Sequence, residues 1–134
     1  MEEIKNYIRM LLKKIIGVRD TISGRRYSDI IEIAKDQIRK TYMSDEISLN
    51  TIAAEVGMSP SYFSSIFSKE MGKTFVEYLT EIRMDRAKEL LMCSSMKTSE
   101  IGYEVGYKDP HYFSYIFKKT QNCTPKEFRA RGKE

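Results

Sequence analysis

Few side chains in this chain have the chemistry of a catalytic or metal-binding site. The sequence contains one histidine, His111, and two cysteines, Cys93 and Cys123. A structural zinc site takes four cysteine or histidine ligands, so these residues cannot complete one. The chain also lacks a glycine-rich phosphate loop and a nucleophile placed beside a base. The sequence therefore predicts a protein that is not an enzyme and that uses no cofactor or metal.

Lysine and arginine offer a different chemistry, the binding of polyanions. The chain has 23 Lys and Arg against 19 Asp and Glu, giving a net charge of +4 and a pI near 9.0. Residues 107–134 hold seven basic residues and three acidic ones, so the surplus falls in this segment. A basic excess of this size permits nucleic acid or an acidic surface as partner and does not choose between them.

The length of 134 residues is that of one domain, or of two very small ones that share a core. Charged residues interrupt the longest aliphatic stretch, residues 8–18, so no window approaches the ~20 apolar residues of a membrane span. Charges within the first 16 positions also argue against a secretion signal. With too few cysteines for a disulfide framework, a cytoplasmic location without membrane contact is expected.

Apolar residues recur at helical spacing along most of the chain. Residues 2–16 predict one amphipathic helix and residues 28–42 a second, with a break in the pattern over residues 17–24. The alternation with a period of two that marks a strand never lasts for five residues. The pattern predicts an all-α protein.

The downstream part of the chain repeats itself. Residues 52–58, IAAEVGM, match residues 101–107, IGYEVGY, and residues 62–69, YFSSIFSK, match residues 112–119, YFSYIFKK. Six of the eight positions in the second pair are identical. Two copies are too few for a solenoid, so a duplicated compact motif is the better interpretation.

The first copy predicts a short helix, a tight turn and a second helix. Residues 49–56 form the short helix, and Gly57 follows where a left-handed conformation is needed. Ser59 is placed to cap the next helix, which begins with Pro60 and runs to about Met71.

The second copy has the same parts in the same order. They are a helix over residues 99–105, Gly106 at the turn, the cap Asp109, Pro110, and a helix that ends near Thr120. Two helices that cross steeply over a turn of three or four residues form a helix-turn-helix motif. Two such motifs in one chain, each with its cap and proline in place, are a strong signal.

One continuous helix is predicted between the two motifs, over residues 75–92. About 18 residues at 1.5 Å each give roughly 27 Å, near the ~34 Å repeat of DNA, so both second helices could enter successive major grooves. The predicted division of the chain is a helical extension, 1–27, a first subdomain, 28–74, a linker helix, 75–93, and a second subdomain, 94–134.

These segments resemble the DNA-binding domain of AraC/XylS-type transcription regulators. The resemblance is carried by residues 47–75, ISLNTIAAEVGMSPSYFSSIFSKEMGKTF, residues 77–91, EYLTEIRMDRAKELL, and residues 100–129, EIGYEVGYKDPHYFSYIFKKTQNCTPKEFR. It implies two homeodomain-like helix-turn-helix subdomains joined by a long helix. It also implies a sequence-specific regulator, commonly an activator, that binds double-stranded DNA and contacts RNA polymerase.

Two residues depart from the family pattern. Gly102 stands where alanine is commoner, and Asn122 stands where glycine is usual. Asparagine tolerates the left-handed conformation, so we expect the turn at Asn122 to survive.

Residues 1–27 resemble the helical linker that precedes this domain in response regulators of the AraC class. We therefore expect the C-terminal output part of a longer two-component regulator, with a stand-alone regulator carrying an extra helix as the alternative. The Ile and Leu stripe of residues 2–16 is larger than a lone helix exposes, so it either packs on the domain or forms a homodimer.

The resemblance also implies which side chains face DNA, because the second helix of each motif lies in the major groove. The base-contacting positions are Ser61, Ser64, Ser65 and Ser68 in the first copy and His111, Tyr112, Ser114, Tyr115 and Lys118 in the second. The phosphate-contacting candidates are Lys69, Lys73, Lys108, Lys119, Lys126 and Arg129, together with backbone N–H groups near Ser61 and Pro110. Neither helix offers Arg or Gln for a bidentate base contact, so we expect modest specificity, supplemented by DNA shape and dimerisation.

Several of these residues have a structural alternative. Tyr62 and Tyr112 precede core phenylalanines and could pack with them, and the serines could form an ordinary solvated face. Arg83 and Arg86, on the linker helix, are expected to form ion pairs at helical spacing rather than to reach DNA.

Two further expectations concern the cysteines and an alternative function. Cys93 and Cys123 are predicted to be inert buried thiols. The lack of arginine in both second helices also leaves a helical protein-interaction module that has lost DNA binding as the alternative function.

Overall fold

The computed structural model describes residues 23–132, with side chains from Tyr27 onward, and this part of the chain is built of helices and short connections. Its helices are α1 (Ser23–Thr41), α2 (Leu49–Glu55), α3 (Pro60–Met71), α4 (Phe75–Cys93), α5 (Thr98–Glu104), α6 (Pro110–Gln121) and α7 (Pro125–Arg131). The all-α prediction is confirmed. The predicted helix over residues 2–16, and any homodimer contact through it, lies outside the described residues.

Helix α1 begins earlier than predicted. It starts at Ser23 rather than Ser28, so Ser23 and Gly24 are helical although both were expected to break the pattern. A single glycine costs a helix only about 1 kcal/mol, and the two arginines that follow it favour a helix.

The described chain packs into two compact units. Unit 1 contains the residues up to Gln37 together with Ser48–Phe75, and unit 2 contains Ile38–Ile47 and the residues from Val76 onward. The predicted linker helix therefore belongs by its packing to unit 2. Its apolar face, with Met84, Ala87 and Leu91, lies in the core of that unit.

The core of unit 1 is built around three phenylalanines. Phe63 and Phe67 lie one turn apart on α3, with no exposed surface and ring centroids 5.6 Å apart. Phe75 meets them edge-on, with centroid distances of 6.4 and 6.0 Å. Among the described residues of this unit, the other buried apolar ones are Ile30, Ile31, Ala34, Ile52, Ala53, Val56 and Ile66.

The turn of the first motif has the predicted chemistry. The Oγ of Ser59 accepts a hydrogen bond from the backbone N–H of Tyr62 at 3.3 Å, and Pro60 is the first residue of α3. Gly57 has a φ of 71°, in the left-handed region. Both features are local, which is why the sequence predicted them.

The core of unit 2 repeats this plan. Phe113 and Phe117 on α6 are fully buried, with centroids 6.0 Å apart, and Phe128 of α7 lies 5.7 Å from Phe117. Gly102 of α5 faces Phe113 so closely that a Cβ at this position would lie 3.0 Å from the ring. The departure from alanine at Gly102 therefore lets α5 approach α6 closely.

Helix α7 closes unit 2 and was not predicted as a helix. Its first turn is a capping box: the Oγ of Thr124 accepts from the N–H of Glu127 at 3.1 Å, and the carboxylate of Glu127 accepts from the N–H of Thr124 at 2.8 Å. These hydrogen bonds lower the pKa of Glu127 below its ordinary value. Just before α7, Asn122 has a φ of 64°, so the expected left-handed turn is present.

Candidate nucleic-acid interface

The exposed face of α3 is small and polar. Ser61 and Ser65 are exposed, and Ser64 and Ser68 are half-buried beside them. Lys69 follows on the last turn and is exposed. This face offers hydroxyl groups that can bond several different bases, and its large side chain, Tyr62, lies at its edge.

Tyr62 lies at the edge of this face and is not a core residue, with 44% of its surface exposed. Its ring meets that of Tyr27 on α1 edge-on, with centroids 6.0 Å apart, and the two hydroxyl groups are hydrogen-bonded. Both tyrosines belong to unit 1. The hydroxyl of Tyr62 is therefore already engaged within the unit.

The exposed face of α6 is aromatic and basic. His111, Tyr112, Tyr115 and Lys118 are exposed, and Ser114 is half-buried. Tyr112 and Tyr115 keep 51% and 58% of their surface exposed, so Tyr112 is not a core residue either. Compared with α3, which has one exposed tyrosine and one lysine, α6 has two exposed tyrosines and two exposed lysines, Lys118 and Lys119.

Three tyrosine rings form a continuous row along this face. We call Tyr107, Tyr112 and Tyr115 the tyrosine row: centroid distances are 5.9 Å from Tyr107 to Tyr112 and 6.3 Å from Tyr112 to Tyr115. The Nζ of Lys119 lies 5.8 Å from the centroid of the Tyr115 ring, at the far end of the row. The two exposed rings, Tyr112 and Tyr115, thus lie between Tyr107 at one end of the row and Lys119 at the other.

The row is anchored at its buried end by an arginine. Tyr107 is 9% exposed, and the guanidinium carbon of Arg83 lies 4.8 Å from its ring centroid. Burial raises the pKa of Tyr107, although the nearby charge of Arg83 acts in the opposite direction. Tyr107 is therefore a neutral side chain in a fixed position, against which the exposed ring of Tyr112 packs.

Arg83 has a role that the sequence did not predict. It is 8% exposed; its Nε donates to the carbonyl of Tyr42 at 2.8 Å and its Nη2 to that of Ser44 at 2.9 Å. These carbonyls follow the end of α1, where backbone acceptors lack helical partners. The expectation for Arg86 is confirmed, since it pairs with Glu89 at 2.9 Å.

Arg129, a predicted phosphate contact, is held by the protein backbone. Its Nε donates to the carbonyl of Leu91 at 2.9 Å and its Nη2 to that of Ser94 at 3.1 Å, at the end of α4. The arrangement repeats that of Arg83 at the end of α1. Arg129 therefore has a structural role in unit 2, and a phosphate contact would be in addition to it.

The lysines proposed for phosphate binding differ in their surroundings. Lys108 lies 3.6 Å from the carboxylate of Asp45, in a pair so exposed that solvent screens it. Lys69, Lys118, Lys119 and Lys126 are exposed as well, whereas Lys73 is half-buried. The exposed set lies mainly on α6 and α7 of unit 2.

The starts of the two second helices are not equivalent anion sites. At α6 the carboxylate of Asp109 accepts from the N–H of His111 at 2.9 Å, so a negative charge already caps this helix. At α3 the cap is the neutral hydroxyl of Ser59. The expected phosphate contact near Pro110 is therefore opposed by a carboxylate, while the one near Ser61 is not.

The two cysteines differ from each other. Cys123 is buried in the core of unit 2, as expected, but Cys93 is exposed, so the prediction of a buried thiol is wrong for Cys93. It is the last residue of α4, beyond the part of that helix that packs into the core. None of the helices within residues 23–132 has a stretch long and apolar enough to span a membrane.

Comparison with known proteins places this arrangement in a family. Residues 52–131 match the family described as "Helix-turn-helix domain". The chain is 32% identical over 126 residues to the transcriptional regulatory protein YesN of Bacillus subtilis, covering 81% of this chain and 34% of that protein.

Two solved structures have the same fold. The C-terminal domain of the response regulator AraT from Geobacillus stearothermophilus superposes with a TM-score of 0.76 at 36% identity, over 79% of this chain and 88% of that one. The C-terminal domain of the two-component response regulator yesN from Fusobacterium nucleatum gives a TM-score of 0.72 at 35% identity, over 73% and 95%.

The chain spans 58%, 34% and 43% of the lengths of three curated relatives that it matches, all of them described as regulators. The family match over residues 52–131 runs from within α2 to the end of α7 and so covers both motifs. The chain belongs to the helix-turn-helix family of AraC-type DNA-binding domains.

Proposed function

We propose that this chain is the DNA-binding part of a transcription regulator and that it binds double-stranded DNA with sequence preference. The observation that carries the proposal is the repeated motif, in which each second helix is capped, packed through two phenylalanines and exposed on a polar face. Such a helix is the element that enters the major groove in helix-turn-helix proteins.

We further propose that α3 and α6 enter successive major grooves. The two motifs are connected through α4, which has 19 residues and is thus about 28 Å long. This length is close to the ~34 Å between successive major grooves on one face of DNA. The support for this geometry is the length and continuity of α4.

Electrostatics supports unit 2 as the main source of nonspecific affinity. Lys118 and Lys119 are exposed on α6, and Lys126 is exposed on α7. Lysines that neutralise phosphates release counterions, so binding through them weakens steeply as salt rises. The acidic cap Asp109 lies at the other end of α6 from these lysines.

The wider role is a proposal from resemblance. The likeness to C-terminal domains of two response regulators supports an output domain of a two-component system. The same proposal includes activation of transcription, contact with RNA polymerase, a cytoplasmic location and a homodimer through residues 2–16.

A salt titration tests DNA binding directly. Fluorescence anisotropy with a labelled duplex gives the binding constant of the full chain at several salt concentrations. Lys118→Ala with Lys119→Ala is expected to weaken binding and to reduce the slope of log K against log salt by about two. Lys88→Ala with Lys97→Ala removes the same charge outside α6 and is expected to leave the slope unchanged.

Two results would contradict the proposal. An unchanged slope in the α6 variant, or an equal change in the control, would show that α6 does not dock on the phosphates. No binding of the unmodified chain at micromolar protein and low salt would favour the alternative, a helical module that contacts proteins.

A further inference from the structure

The structure assigns a specificity to unit 2 that unit 1 lacks: we propose that Tyr112 and Tyr115 recognise thymine by contact with its C5 methyl group. The inference rests on the proposed DNA binding and adds which base chemistry is read, and by which side chains. Thymine is the base whose major-groove edge carries a methyl group.

Both tyrosines are exposed on one face of α6. Tyr112 and Tyr115 lie at positions i and i+3 of α6, on one face of the helix, and each exposes more than half of its surface. Aromatic rings offer large apolar area at low cost in conformational entropy, because a tyrosine side chain has two torsion angles. In the proposed docking these two exposed rings face the groove, where the thymine methyl offers an apolar partner.

The rings of the tyrosine row are held in place by their neighbours. The ring of Tyr112 packs between those of Tyr107 and Tyr115, and Lys119 lies over the outer face of the row. Arg83 fixes Tyr107 from the protein interior. A ring held in this way presents its surface in one position, which a contact with a single methyl group requires.

The first motif has different residues at two of the three equivalent positions. By the sequence repeat, Tyr115 corresponds to Ser65 and Tyr107 to Met58, while Tyr112 corresponds to Tyr62. The ring of Tyr62 contacts that of Tyr27 in its own unit, and the position that corresponds to Tyr115 is Ser65. The pair of exposed rings on α6 is therefore not repeated on α3, and the thymine preference is assigned to unit 2.

Replacement of thymine by uracil tests the methyl contact, because uracil lacks only that group. A duplex that the full chain selects from random DNA is prepared with thymine, and then with deoxyuridine in one half at a time. We expect uracil to weaken binding in one half only, by about four-fold for each methyl group contacted. Anisotropy at a single salt concentration measures the ratio.

Variants assign the effect to the two tyrosines. Tyr112→Phe with Tyr115→Phe keeps the rings and is expected to retain the uracil penalty, whereas Tyr112→Ala with Tyr115→Ala is expected to lose it. Tyr115→Ser, which installs the residue of the first motif, tests one ring alone. Tyr103→Ala, at an equally exposed tyrosine of α5, is the control and is expected to retain the penalty.

The outcomes separate the inference from the function on which it rests. Equal binding of the thymine and uracil duplexes would overturn the inference while DNA binding stands. A uracil penalty that persists in the alanine variant would overturn it as well, because another residue would then read the methyl. Failure to select or bind any duplex would contradict the proposed function itself.

Discussion

The two second helices, α3 and α6, have the same length and matching internal residues, yet their exposed faces differ in kind. On α3 the face is four serines with Tyr62 at its edge and one lysine at the end, and on α6 it is two tyrosines, a histidine, a serine and two lysines. Their buried faces are both built on a pair of phenylalanines. The duplication has therefore kept the packing residues and changed the residues available for contact.

This difference separates two requirements that act on one helix. The inner positions must fill a core at high density, so they tolerate little change. The outer positions contact solvent or a ligand, and most changes there leave the fold intact. A double motif can thus combine one half that binds with little discrimination and another that recognises a base.

The largest expected effect tests whether the cores of the two units are equivalent. Phe63→Ala and Phe113→Ala remove fully buried rings at equivalent positions, and each is expected to lower the free energy of unfolding by about 3–5 kcal/mol. Urea unfolding followed by circular dichroism measures both. Losses that differ more than two-fold would show that the two cores are not equivalent; Phe→Leu at each site serves if an alanine variant does not fold.

The next effect belongs to unit 2. Among the described residues, Arg83 is the one charged residue that is buried. Its replacement by alanine, Arg83→Ala, leaves the carbonyls of Tyr42 and Ser44 without this donor. We expect a loss of about 3 kcal/mol in unfolding free energy. Arg86→Ala, which breaks only an exposed ion pair with Glu89, is the matched control and is expected to cost about 0.5 kcal/mol or less. Equal losses would contradict the role of Arg83.

How much of this could be predicted from sequence depended on the range of the interaction. The starts of α3 and α6 followed from Ser59, Pro60, Asp109 and Pro110, because N-caps act on residues only two or three positions away. The hydrogen bonds of Arg83 could not be predicted, because its acceptors lie about 40 positions earlier in the chain.

Helix α7 and the tyrosine row were missed for related reasons. Seven residues are too few for a hydrophobic period, although Thr124 followed by Pro125 and Glu127 is a capping-box signal that could have identified α7. The alignment of Tyr107 with Tyr112 depends on how the turn between α5 and α6 folds back. A sequence identifies both tyrosines but not the contact between their rings.

A smaller effect is expected at the ends of α3 and α6, where the left-handed residue is Gly72 in one copy and Asn122 in the other. Gly72→Asn and Asn122→Gly are each expected to change the unfolding free energy by about 0.5 kcal/mol or less, because both residues tolerate this conformation. Alanine at either position is expected to cost about 1 kcal/mol. Thermal unfolding checks this; an asparagine as costly as alanine at Gly72 would show that the two turns differ.

The smallest effect is a pH dependence at α7. Because the folded pKa of Glu127 is lowered, its charge stabilises the fold above the unfolded pKa, near 4.5, and that contribution is lost as pH falls through the folded value. Glu127→Gln keeps a capping acceptor without the charge, so it is expected to be less stable than the unmodified chain at neutral pH and equal to it in acid. Urea unfolding at both pH values measures the difference; a gap that persists in acid would contradict the assignment.

Selection of bound sequences from random duplex DNA tests most directly whether this chain reads DNA through two unlike motifs. The full chain is expected to enrich sites with one strongly defined half that contains thymine and one weakly defined half, and Tyr115→Ser is expected to weaken the definition of the first half only. Enrichment of two equally defined halves, or no enrichment at all, would contradict this view of the molecule.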